Sequence, residues 1–141
     1  MGLFDVFKGG GGLKKHIDRV GNKRAQKHER WESIQTLAAD GSDEAIRALL
    51  VRFTSRVDPS ITDGEEKSAA FHGVAQHGEA ALGPVRDFLE SSETLAWPLK
   101  ILKEIQTEEQ VTTTLLELLS TMHTEYERDP QKKIDLIASF E

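Results

Sequence analysis

Apolar residues recur at three- and four-residue spacing over most of the chain, and short stops rich in Gly, Pro or acid separate the runs, which is the period of amphipathic helices. Trp31, Ile34, Leu37 and Ala38 predict one helix, closed by Asp40-Gly41 with a glycine suited to the left-handed cap. Ile46, Leu49, Leu50 and Phe53 predict a second, starting near Ser42 or Asp43. Asp58-Pro59 interrupts the pattern because the residue before a proline is pushed out of the helical region, and residues 54–63 are expected to form the longest loop. Asp63 and Glu66 then have the spacing of a capping box ahead of Ala70, Phe71, Val74 and Ala75, a helix expected to end at His77-Gly78. Leu82, Val85, Phe88 and Leu89 mark its partner, with Pro84 tolerable only in the first turn. Leu95, Leu99, Leu102 and Ile105 follow, with Pro98 starting or kinking the helix. Thr107 and Gln110 form a second capping box before Val111, Leu115, Leu118 and Leu119. Asp129-Pro130 opens a last helix with Ile134, Ile137 and Phe140. No stretch alternates with period two, so an all-α fold is expected.

The first thirty residues differ from this body. Residues 1–8 read MGLFDVFK, in which Leu3, Phe4 and Phe7 share a face if the turn is helical. Gly9 to Gly12 form a tether with a reach of roughly 11 Å, so residues 1–12 look like an apolar tip made for docking on a partner, a lipid surface or the body itself. Val6 stands where a myristoylation signal needs Ser or Thr. Residues 13–30 carry a thin apolar stripe of Leu13, Ile17, Val20 and Ala25, broken near Gly21-Asn22, and form a basic helical segment. Residues 31–141 make up the body.

The body repeats. Leu37, Val74 and Leu102 align as first helices, and Ile46, Leu82 and Val111 as second helices, at offsets that differ only through the loops. Three helix–turn–helix units and a final single helix give about three and a half repeats, and such units stack to bury a continuous core. The segments WESIQTLAADGSDEAIRALL from Trp31 and LKILKEIQTEEQVTTTLLELL from Leu99 resemble HEAT repeats, particularly the short bacterial HEAT-like kind, over residues 29–141. Pro98 is similar to the proline kink of that family. The usual aspartate after the inter-helix turn is replaced by Glu79 and Thr107, and the 54–63 loop is longer than typical. The resemblance implies an α-solenoid of helical hairpins preceded by a short N-terminal arm; a plain helical bundle is the alternative. It also implies that second helices line a concave face. With Ile46, Leu50 and Phe53 inward, Arg47 and Val51 point outward in the first unit, as do Gly83 and Asp87 in the second, and Thr112 and Leu116 in the third. Val51 and Leu116 either mark an apolar binding patch or complete a wider core.

Composition narrows the functional classes. In 141 residues with 38% hydrophobic content there is enough apolar material for a core, and no cysteine for a disulfide, a thiol nucleophile or a thiolate metal site. No apolar run has the length of a membrane span, and a cytoplasmic location is expected. The net charge of −6 divides into −1 from Asp5, +6 over residues 8–30 and −11 over residues 31–141, a basic arm on an acidic body. Lys14, Lys15, Arg19, Lys23, Arg24, Lys27 and Arg30 are the candidate cations for nucleic acid or an anionic membrane.

Catalytic signatures are missing: no nucleophile elbow, H-E-x-x-H, P-loop or dinucleotide fingerprint is present. His72 and His77 are five apart on different helix faces, so no metal, cofactor or small-molecule substrate is expected. Some HEAT-like bacterial proteins are DNA glycosylases or bilin lyases, generally with more repeats. Trp31 and Trp97 fall at or near core positions and are expected to pack inside. The reading that results is a non-enzymatic scaffold binding another protein through Arg47, Val51, Asp87, Thr112 and Leu116, with Leu3, Phe4 and Phe7 as a second contact. The rival is nucleic-acid or membrane binding by the basic segment.

Overall fold

The computed structural model describes residues 13–121, all of whose regular structure is helical. The tip residues Leu3, Phe4 and Phe7, the glycine tether, and the expected helix of Ile134, Ile137 and Phe140 lie outside the described residues. Seven α-helices run α1 (Leu13–Val20), α2 (Lys27–Asp40), α3 (Asp43–Val51), α4 (Ser60–Ala75), α5 (Leu82–Ser91), α6 (Ala96–Ile105) and α7 (Glu108–Thr121), with 3₁₀ turns at Arg52–Thr54 and Gly78–Ala81. The chain divides into two compact units after His77.

In the first unit the stop of α2 at Gly41 and the start of α3 at Ser42 fall where the residue pattern puts them. Ser42 Oγ accepts the Ala45 N–H at 3.2 Å, and Asp43 and Glu44 oppose the dipole in the first turn of α3. Gly41 takes φ 65° and donates its N–H to the Leu37 carbonyl at 3.2 Å, closing α2. Its missing side chain also makes room for His77, whose ring would collide with a Cβ there. His77 Nε2 donates to the Ala38 carbonyl at 2.7 Å, joined by Gln76 Nε2 at 3.0 Å, so the end of α4 satisfies the end of α2. Gly73 lets these two helices touch, since a Cβ would sit 2.8 Å from Ala38 Cβ. Ile34, Leu37, Ile46, Leu49, Leu50, Ala70 and Val74 fill the core between α2, α3 and α4. Leu13 and Val20 of α1 are buried too, and His16 and Arg19 meet Ser33 and Glu29 of α2 at 2.9 and 3.5 Å.

In the second unit Val85 and Leu89 of α5, Leu99, Ile101 and Leu102 of α6, and Val111, Leu115 and Leu118 of α7 are buried. Pro84 and Pro98 are each the third residue of their helix, where no intrahelical N–H partner is lost. The Thr107 capping box is reciprocal: Gln110 N–H donates to Thr107 Oγ1 at 3.2 Å and Thr107 N–H to Gln110 Oε1 at 2.9 Å.

Three expectations fail. The long loop at 54–63 shrinks to residues 55–59, because Pro59 starts α4 directly and its carbonyl accepts the Asp63 N–H at 3.1 Å. Asp63 therefore does not cap the helix; it lies inside it, buried, with Glu66 on the same face. Trp31 is not core but 42% exposed. A stripe through Trp31 and one through Arg30 both reach Ile34 and Leu37 at helical spacing, and the burial of Arg30 turns α2 so that Trp31 faces outward.

Candidate functional site

Among the described residues, charge is concentrated inside the first unit. Arg30 and Arg52 are 4% and 0% exposed, and both reach Glu66, also 0% exposed. Arg30 Nε donates to both Glu66 oxygens at 2.9 and 3.2 Å, and its Nη2 donates to Oε2 at 3.2 Å. The Arg30 Nη1 donates to the carbonyls of Ala25 and, at 3.4 Å, Lys23, tying down the α1–α2 connection. Arg52 Nε donates to Glu66 Oε1 at 3.1 Å, its Nη2 to Asp63 Oδ1 at 2.8 Å and its Nη1 to the Ser55 carbonyl at 2.9 Å. Asp63 also accepts the Val57 N–H at 3.1 Å and pairs with Lys67 at 2.9 Å.

The helix spacing explains the arrangement. Asp63 and Glu66 lie three residues apart on α4, one above the other, and Arg52 spans both. Burial would raise the Asp63 pKa, but the Arg52 and Lys67 hydrogen bonds, the Val57 N–H and the Lys67 charge outweigh it and hold the carboxyl at about 2. No buried side-chain nitrogen or oxygen among the described residues lacks a partner. The cluster is thus a satisfied internal network that pins α2, the Arg52 turn and α4, with no free acid or base for chemistry.

Beside it lies an open groove of about 580 Å³ between the first halves of α2 and α4. Lys27, His28, Trp31 and Glu32 line it from α2, and Thr62, Glu65 and Glu66 from α4. Glu66 is held by the two arginines, whereas Glu32 and Glu65 form no ion pair or hydrogen bond with a described residue. The exposed Trp31 ring and the fully outward Ile61, 73% exposed and four residues before Glu65, give this side of the unit its apolar character.

On α3, Arg47 is exposed and pairs with Asp43 at 2.6 Å, and Val51 is 48% exposed. Asp87 on α5 and Thr112 and Leu116 on α7 are exposed, Leu116 at 56%, and Thr112 Oγ1 donates to the Glu108 carbonyl at 3.0 Å. Of the basic set, Lys14, Lys15, Lys23, Arg24 and Lys27 are exposed, while Arg19 is half-buried against Glu29. Arg30 leaves the set, since a guanidinium fully engaged by Glu66 inside the fold offers nothing to a phosphate. His16 sits beside Ser33, and burial foremost, with Lys15 and Arg19 adding to it against the pull of Glu32, lowers its pKa below 6.5. No group of three or more His, Cys, Asp or Glu among the described residues is placed to hold a metal, and no described helix is long and apolar enough to cross a membrane.

Sequence reasoning missed Arg52, Asp63 and Glu66 as a network and Glu65 and Thr62 as groove residues. One local signal existed: Arg52 interrupts the apolar run of Leu49, Leu50, Val51 and Phe53, and a charge inside such a run needs a buried partner. Comparison of the chain with protein-family models, curated proteins and solved structures found no match.

Proposed function

We propose that the chain is a non-enzymatic interaction module, its helices read as HEAT-like repeat pairs, that binds another protein through outward residues of its second helices. Residues Arg47 and Val51 on α3, Asp87 on α5, and Thr112 and Leu116 on α7 form the contacts, with residues 1–8 as a second one. The observation that carries this reading is the exposure of Val51 and Leu116, at 48% and 56%, on helices whose other large aliphatic side chains are buried or half-buried. Isolated apolar residues are common on surfaces, but these two occupy positions equivalent in the repeat alignment. The charged groups that are buried are all engaged with one another, so the reading needs no chemistry from them.

Affinity purification of the full chain from its native host tests the proposal, with Val51→Asp and Leu116→Asp variants alongside the parent. Loss of a shared protein from both variants supports it; an unchanged set of captured proteins refutes it. Exposure of Lys14, Lys15, Lys23, Arg24 and Lys27 favours a second reading, contact with nucleic acid or an anionic membrane. A gel shift with random duplex at low salt and liposome flotation test it, and absence of binding in both removes it.

A further inference from the structure

The groove beside Trp31 and the tip of the chain have matching chemistry. The groove offers a half-exposed indole, mostly carbon walls, the carboxylates of Glu32 and Glu65, and the ammonium of Lys27. Residues 3–8 offer Leu3, Phe4 and Phe7 for the apolar wall, Lys8 for the two carboxylates and Asp5 for Lys27. Both signs of charge are complementary. A volume of about 580 Å³ lies within the range of sites that enclose small ligands, roughly 300–1,000 Å³, and has room for the rings of Phe4 and Phe7.

Reach is consistent with this pairing. His16 lies against Ser33 and Arg19 against Glu29, so α1 runs opposite to α2 and its first residue, Leu13, stands near the height of residues 36–37. The groove residues of α2, Lys27 to Glu32, lie roughly 7–14 Å away along the helix at 1.5 Å per residue, and because α1 packs on α2 and α3 the tip must also cross α2, a further distance of roughly 10 Å. Gly9 to Gly12 have a reach of roughly 11 Å, about 14 Å when fully extended, before Lys8 and Phe7 add their own length. A tether this short gives the tip a millimolar effective concentration at the groove, well above that of an external peptide.

We infer that residues 3–8 dock into the α2–α4 groove of their own chain, covering Trp31, with Phe4 and Phe7 on the indole side and Lys8 toward Glu32 and Glu65. This rests on the proposed function only in treating the tip as a docking element, and makes its contact with a partner competitive with its own groove. Its test reads Trp31, whereas the partner test reads Val51 and Leu116, so either can fail alone.

The experiment uses the full chain carrying Trp97→Phe, so that Trp31 is its sole tryptophan. Emission and acrylamide quenching are compared with and without Phe4→Ser plus Phe7→Ser, at unchanged helical circular dichroism. The substituted chain should show red-shifted emission and about two-fold stronger quenching, and a peptide of residues 1–8 should reverse both saturably. Glu65→Lys with the tip intact should also increase quenching. In a second variant the four-glycine tether is lengthened to about twenty residues, which lowers effective concentration about ten-fold and should raise the quenching of Trp31, an increase that the added peptide reverses. Trp31 signals that ignore the tip substitutions, or a peptide that leaves them unchanged, overturn the inference. Protection of Trp31 that disappears on dilution overturns it as well, because the occupant is then a second copy.

Discussion

Substituting Glu66 by Gln keeps the shape of the side chain and removes the charge at the centre of the internal network. Glu66 accepts three hydrogen bonds from Arg30 and one from Arg52, and both guanidiniums are nearly or wholly shielded from water. A carboxamide has one acceptor oxygen and an NH₂ that would face donors, so one guanidinium loses its charged partner inside the fold. Breaking a buried pair in this way costs about 3–5 kcal/mol, whereas replacing the set by apolar groups of similar volume can be nearly neutral. The contrast supplies a control: Arg30→Met together with Glu66→Met should recover part of the loss, giving a favourable coupling in a double-mutant cycle. The assay is urea unfolding followed through Trp31, which reports on the first unit, in a Trp97→Phe background. With a slope of about 1–3 kcal/mol per M, the midpoint should fall by at least about 1 M. A loss below about 1 kcal/mol for Glu66→Gln would show that the network contributes no more than surface ion pairs do, and the reasoning would be wrong.

Other consequences are independent of that one. Gly41→Ala combines an unfavourable φ of 65° with a Cβ on the His77 ring, and should destabilise by about 1–3 kcal/mol, read by the same unfolding assay. Thr107→Ala removes the capping-box acceptor of α7 and should cost about 1 kcal/mol, read by thermal unfolding. Asp63 has its pKa depressed to about 2, so the stability it contributes is complete above the unfolded value near 4 and is lost as pH falls toward 2; Asp63→Asn should flatten that acid limb. His16 also has a lowered pKa, so its neutral form is favoured by folding and stability should decline as pH drops below about 6.5; His16→Gln should remove that part of the decline in a pH titration of the unfolding midpoint.

Local signals were legible in the sequence and long-range ones were not. Gly41, Ser42 and the Thr107–Gln110 pair act within one turn of the chain, so residue type and spacing were enough to place those helix ends. The aligned positions Leu37, Val74 and Leu102 are all buried, as apolar period alone predicts. Trp31 failed because two stripes one residue apart, through Trp31 and through Arg30, fit the same helix equally well. Hydrophobicity favours the tryptophan, and only a partner 36 residues away, Glu66, decides for the arginine. Asp63 and Glu66 failed for a related reason: their three-residue spacing serves a capping box at a helix start and a stacked pair inside a helix alike. Pro59 sets which applies by starting α4 earlier. The groove was invisible because it joins α2 to α4, and nothing local to either helix announces the other.

The proposed partner meets the outward apolar residues of the second helices. Photo-crosslinking in the native host tests this contact most directly, with a photoreactive amino acid placed singly at Val51, at Leu116 and, as an exposed charged control, at Lys103. One and the same protein should crosslink from Val51 and from Leu116 and be absent from the Lys103 control. Crosslinks that are equal at all three positions, or that join these sites only to nucleic acid or lipid, would contradict it.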